Sequence, residues 1–238
     1  MSVTWNPWHG CRKISPGCQN CYVYRMDQAH GRDGSHIAKT ANFSLPMARD
    51  RRGFWKIPPG ELVYTCFTSD FFLEDADPWR PEAWAMIRRR QDLRFLFLTK
   101  RIHRFWDCIP DDWGEGYENV HICCTAEDQD RADFRLPLFR QAPIRYKSIA
   151  CEPLLGPMDL RPYLGPWVQE VMVGGESGQQ ARVCDYAWVL SIREQCVQAG
   201  VAFSYHQTGA RLWKDGRLYR IPRDQQHRQA KRAGIDVG

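Results

Sequence analysis

LVYTCFTSD, residues 62–70, carries the pattern on which the fold turns. Leu62 to Phe67 is an apolar, β-rich run of the usual strand length, and it ends abruptly in Thr68, Ser69 and Asp70. The same pattern recurs five times. Leu93 to Leu98 ends in Thr99-Lys100-Arg101, and Val120 to Cys124 ends in Thr125-Ala126-Glu127-Asp128. Arg145 to Ala150 ends in Cys151-Glu152-Pro153, and Val168 to Val173 ends in Gly174-Gly175-Glu176-Ser177-Gly178. Val201 to Tyr205 ends in His206-Gln207-Thr208. The segments between are long enough to cross over. Pro81 to Gln91 opens with a proline suited to a first helical turn, and Arg131 to Gln141 is interrupted by Pro137. Asp185 to Ala199 reads as the clearest helix, with Asp185 to cap it and Gly200 to close it. Such alternation means parallel strands with right-handed crossovers. The expected fold is α/β, an incomplete TIM-like (β/α)6 barrel of six or seven parallel strands. In such a barrel all the polar tips fall on one rim, the active-site face. A single tip suits a cap or a turn; six in succession point to an enzyme.

Upstream lies TWNPWHGCRKISPGCQNCYVYRM, residues 4–26, where Cys11, Cys18 and Cys21 follow a C-x6-C-x2-C spacing. Gly10, Pro16 and Gly17 bend this stretch, and Arg12 and Lys13 favour thiolates. Three close thiols suit a metal ion or cluster, and three protein ligands leave one metal position open for chemistry. A zinc knuckle with His9 as fourth ligand is the competing reading. Residues 22–29 continue as a helix, and residues 30–60 read as an irregular connection or lid.

Asn6-Pro7-Trp8-x-Gly10-Cys11, followed by Pro16-Gly17-Cys18-x-x-Cys21-Tyr22, resembles the cluster loop of radical S-adenosylmethionine (SAM) enzymes. It is most similar to the spore-photoproduct-lyase-like branch, although the first gap is three residues longer than the common C-x3-C-x2-C. From about residue 4 to residue 210 the chain also resembles a phage-associated three-cysteine-motif family of uncharacterised function. The resemblance implies a radical SAM type of barrel with a [4Fe–4S] cluster on Cys11, Cys18 and Cys21. It implies SAM on the open iron, an external electron donor, and hydrogen abstraction by a 5′-deoxyadenosyl radical. The tip Thr68-Ser69-Asp70 then falls where the similar enzymes hold the SAM amino group, and Leu98-Thr99-Lys100-Arg101 resembles a tip of the same branch whose Lys or Arg suits a carboxylate or a phosphate. Glu127, Asp128 and Glu152 suit ribose hydroxyls or helix caps. Gly174, Gly175 and Glu176 match a Gly-Gly-Glu of the superfamily but lie four strands later, so they serve cofactor or substrate. Cys151 is the candidate to donate a hydrogen atom to a substrate radical. Cys66, Cys123 and Cys124 read as core. The branch includes DNA photoproduct repair, which makes a nucleotide or nucleic acid the expected substrate class.

The bulk properties agree with a folded protein. Residues 1–210 are expected to form the barrel domain with its N-terminal loop, and residues 211–238 a basic tail. That tail holds eight Lys or Arg and three Asp, a surplus equal to the net charge of +5 of the whole chain. With Trp213 and Tyr219 it suits phosphates and bases. No apolar run has the length of a membrane span, and no secretory signal is visible. Ten cysteines, two of them adjacent at Cys123 and Cys124, suit a reducing cytoplasm. The alternative function is a non-enzymatic zinc- or iron–sulfur-binding protein that docks on nucleic acid through the tail.

Overall fold

The structure is a computed structural model that describes residues 2–238. Seven strands share one sheet: β1 (Ser2–Trp5), β2 (Leu62–Thr65), β3 (Arg94–Thr99), β4 (Val120–Thr125), β5 (Tyr146–Cys151), β6 (Glu170–Gly174) and β7 (Ala202–Gln207). Their spatial order is their chain order, β1 to β7. The pairs β1–β2, β2–β3, β5–β6 and β6–β7 are parallel. A sequential parallel order is that of a (β/α) barrel and not of a doubly wound sheet, whose order reverses at a switch point.

Of the six or seven strands expected, this sheet has seven. The one not foreseen is β1, four residues long, which pairs Ser2 with Leu62 and Trp5 with Thr65. The cysteine stretch therefore leaves the C-terminal end of a strand, as every other polar tip does. Six helices accompany the strands: α1 (Tyr22–Ala29), α2 (Arg80–Arg89), α3 (Phe105–Cys108), α4 (Gln129–Gln141), α5 (Tyr186–Ala199) and α6 (Gln226–Arg232). Between β5 and β6 there is only a short 3-10 turn, Arg161–Tyr163.

The chain divides into two compact units. The first comprises the residues up to Arg12, Val23–Cys123 and Ala142–Tyr146. Its core is aromatic. Phe71 stacks on Phe97 at 4.4 Å between centroids, with Trp8 and Trp84 packed against Phe71 at 5.1 and 4.9 Å. Trp5 and Trp8 are fully buried. The Trp8 indole donates to the Asp70 carbonyl at 3.2 Å, which fastens the start of the cysteine stretch to the tip of β2.

The second unit comprises Lys13–Tyr22, Cys124–Gln141 and Lys147–Gly238. Asp185 caps α5 by accepting from the Ala187 amide at 2.8 Å, and Gly200 closes it in the left-handed region at φ 66°. Val189, Ile192 and Cys196 are its buried stripe. Pro137 lies inside α4, which continues past it and buries Leu136 and Phe139. Residues 211–238 are folded into this unit. Arg211–Lys214 and Arg217–Arg220 form an antiparallel hairpin that extends the short strand Cys184–Asp185. Phe203 and Val237 exchange backbone hydrogen bonds at 2.8 and 2.9 Å.

Candidate cysteine-loop site

In the first unit, Cys11 sits where backbone and charge converge. Gly10 precedes it at φ 86°, and a Cβ there would lie 2.1 Å from the His36 carbonyl oxygen, so only glycine fits. The Cys11 amide donates to the Gly34 carbonyl at 3.0 Å, and the Tyr24 hydroxyl donates to the Cys11 carbonyl. The β2 tip grips the same stretch. The Thr68 amide donates to Asn6 Oδ1 at 3.1 Å, its carbonyl accepts from Gly10, and Ser69 Oγ donates to the Gly10 carbonyl.

Asp70 is buried, and its carboxylate is surrounded by its own chain. Oδ1 accepts from Thr99 Oγ1 at 2.9 Å and from the Phe72 amide at 3.0 Å. Oδ2 accepts from the Lys100 amide at 2.9 Å and lies 3.4 Å from Arg101 Nη1. Of the two cations of this tip, Arg101 is the one that is buried. Its guanidinium, 2 % exposed, reaches Asp70, Glu74 at 3.3 Å, the Arg12 carbonyl at 2.7 Å and Cys11 Sγ at 3.7 Å. Burial works to lower its pKa, but the negative groups of Asp70, Cys11 and Glu74 outweigh burial and raise it. A buried, permanently charged donor against a sulfur stabilises thiolate over thiol. Cys66, at the end of β2, holds a non-glycine φ of 64° and is buried. Burial first, then the charge of Asp70, pushes its thiol well up.

In the second unit, two carboxylates hold the Cys18–Cys21 turn. Glu127 is fully buried; Oε2 meets Arg135 Nη1 at 2.7 Å, and Oε1 accepts from the Gly17 amide at 3.1 Å. A Cβ on Gly17 would lie 3.0 Å from the Glu127 carboxyl, so the turn presses on that side chain. Glu176 accepts from Asn20 Nδ2 at 3.0 Å, with Arg182 bound to the same carboxylate through its backbone and guanidinium. Burial disfavours the Glu176 anion, but the hydrogen bonds from Arg182 and Asn20 more than offset it and hold the carboxyl below its ordinary pKa. Ser15 Oγ lies 3.7 Å from Cys18 Sγ, and the Cys18 amide donates to the Ser15 carbonyl at 2.9 Å.

The other expected site residues take assorted places. Asp128 accepts from the Arg131 amide at 2.9 Å, the capping alternative. Glu152 binds His206 Nδ1 at 2.8 Å. Cys151 is buried at the end of β5. Gly174 and Gly175 are pressed by their own chain: a Cβ on Gly175 would lie 2.4 Å from the Thr208 carbonyl oxygen. Lys100 is half-buried, and its ammonium has no hydrogen bond or ion pair among the described residues. His9 is engaged elsewhere, with Nε2 at 2.7 Å from the buried Asp27 carboxylate. Asn20 and Arg182 were missed. Their only sequence signal was adjacency to a tip or to a cysteine.

All ten cysteines are free of disulfides, and Cys11, Cys18 and Cys21 are the three not buried. Burial pushes the Cys184 and Cys196 thiols up to about 12 and that of Cys108 to about 11, which marks them as inert. Among the described residues, no group of three or more His, Cys, Asp or Glu is arranged to hold a metal ion. The chemistry of the donor set nonetheless fits a sulfur-ligated cluster: three accessible thiols, two of them with N–H or O–H donors near the sulfur.

The fold is that of an α/β protein with seven sequential parallel strands. A family profile described as "Protein of unknown function (DUF5131)" matches residues 1–236, and the chain belongs to that family. No curated protein and no solved structure matches it.

Proposed function

We propose that the protein is a radical SAM enzyme on an incomplete TIM-like barrel. Cys11, Cys18 and Cys21 are the ligands of a [4Fe–4S] cluster. The observation that carries this reading is that, among the described residues, the thiols that are not buried lie in one eleven-residue stretch whose two ends are each fastened by buried ionic groups. When bound, the cluster and SAM supply reductive cleavage of the sulfonium C–S bond and a 5′-deoxyadenosyl radical. The chain's own work is positional. Arg101 stabilises the Cys11 thiolate, while Asp70 holds Arg101 and so acts on the loop and not on an ammonium. Glu127 and Glu176 hold the Cys18–Cys21 turn from either side. Lys100 is the cation left to meet the SAM carboxylate. The expected substrate remains a nucleotide or nucleic acid, with the basic segment 211–238 as its docking surface.

Iron analysis of variants tests the ligand assignment. Cys11→Ala, Cys18→Ala and Cys21→Ala each lose cluster iron, whereas Cys184→Ala and Cys196→Ala keep it. Equal loss from all five would refute the assignment. Zinc in place of iron would favour the non-enzymatic reading; the hydrogen bond of His9 Nε2 to Asp27 leaves only Nδ1 of that ring for a metal.

A further inference from the structure

We propose that His206 and His227, oriented by Glu152, form a binding site for a divalent transition-metal ion in the second unit. The site is distinct from the cysteine loop and does not rest on the radical reading.

Three observations converge. The first is the backbone at His206. In the β6–β7 pairing Tyr205 faces Val173 and Gln207 faces Gly174, so His206 is the extra residue of a bulge. A bulge at a strand end re-aims the side chain it carries, and the His206 imidazole is 52 % exposed. The second is tautomer control. Glu152 lies 2.8 and 3.0 Å from His206 Nδ1, and a carboxylate only accepts, so that nitrogen carries the proton. His227 Nδ1 lies 2.9 Å from the His206 carbonyl oxygen, which also only accepts, so it carries a proton too. With Nδ1 as the donor, Nε2 is the ring atom left to bind a metal; the Glu152 carboxylate also raises the His206 pKa, so a proton competes with the metal for that nitrogen. An imidazole whose Nδ1–H is held by a carboxylate or a backbone carbonyl is the usual state of a metal-ligating histidine. The third is proximity. The two ring centroids are 4.7 Å apart, and both side chains are open to solvent.

The scaffold beneath is fixed. The Thr208 amide donates to the Gln226 carbonyl at 3.3 Å, Gln226 Nε2 donates to the Ile221 carbonyl at 3.0 Å, and Arg223 Nη1 donates to Gln207 Oε1 at 2.9 Å. The start of α6 is therefore tied to the end of β7, and His227 is held over His206. Imidazole nitrogen suits Zn²⁺, Co²⁺, Ni²⁺ or Cu²⁺ and not the hard cations Mg²⁺ or Ca²⁺. Only two protein nitrogens contribute. Water fills the remaining positions and can be exchanged for the oxygen of a carboxylate or phosphate ligand, which places a Lewis acid at the tips of β5 and β7.

The test is an anaerobic Co²⁺ titration of the full chain, followed by absorbance. Cobalt at the cysteine loop shows a thiolate charge-transfer band, whereas cobalt at the histidines shows visible d–d bands without it. The expected result is a binding step with no thiolate signature. It is weakened more than about tenfold in His227→Ala and about tenfold in Glu152→Gln, the range seen when orienting partners are lost. His227 is exposed on α6, so its substitution leaves the fold intact, as circular dichroism would verify. Absence of any thiolate-free step in the wild type, or an unchanged affinity in His227→Ala, would overturn the proposal.

Discussion

Arg101 is the residue on which the first unit's half of the loop depends. It is buried with Asp70; Nη1 lies against both Asp70 and Cys11 Sγ, while Nε and Nη2 reach Glu74 and the Arg12 carbonyl. Removing one partner of a buried pair leaves the other charge uncompensated, at about 3–5 kcal/mol. Arg101→Ala should lower unfolding free energy by that order in a urea titration. Arg101→Lys should recover only part, because an ammonium cannot reproduce the planar fork that reaches these four groups. Gly17 makes the matching point in the second unit. Its missing side chain lets the turn approach Glu127, and Arg135 keeps Glu127 from yielding. Gly17→Ala should displace the turn and speed alkylation of Cys18 by a maleimide. Urea stability should change by less than about 1 kcal/mol, since the residue is outside the core. An unchanged alkylation rate would show that the carboxylate does not seat the turn.

The elements divide by how local their causes are. The ends of α5 could be read from Asp185 and Gly200 because capping involves neighbours in sequence. Asp185→Ala should therefore cost about 1 kcal/mol in urea titration. The six strands with polar tips were equally legible, since each run and its tip are contiguous. β1 was not, because Ser-Val-Thr-Trp is short and becomes a strand by pairing with residues 62–65, far along the chain. α4 shows tertiary packing overriding propensity. Pro137 removes a backbone donor in mid-helix, yet the buried Arg135, Leu136 and Phe139 hold the helix together. Pro137→Ala should raise stability by about 1–3 kcal/mol, and a loss would mean that the proline's geometry is itself required for that packing. The site was legible as a set of tips and thiols, but not as a network. Which of Lys100 and Arg101 turns inward, and that Asp70 and Glu176 serve the loop, depends on partners distant in sequence.

At the scale of the whole molecule, stability should depend on pH through groups that the folded environment holds in one protonation state. Burial pushes His121, on β4, down from 6.5 to about 4. The unfolded chain takes up this proton below 6.5 and the folded protein only near 4, so stability should fall as pH falls across that window. Glu176, held below its ordinary 4.5, adds a further loss as pH drops through its folded pKa. Urea midpoints between pH 7 and 4 would show the first slope, and His121→Gln should flatten it while leaving the acid limb. No helix among the described residues is long and apolar enough to cross a membrane. The seven sequential strands put a polar tip, or the cysteine stretch, at each C-terminal strand end, the arrangement that suits one reactive rim.

The most direct test of the radical reading is to purify the chain without oxygen, count iron and sulfide, and add dithionite and SAM. The account predicts about four irons per chain and the formation of 5′-deoxyadenosine with methionine. One zinc, no iron and intact SAM would contradict it.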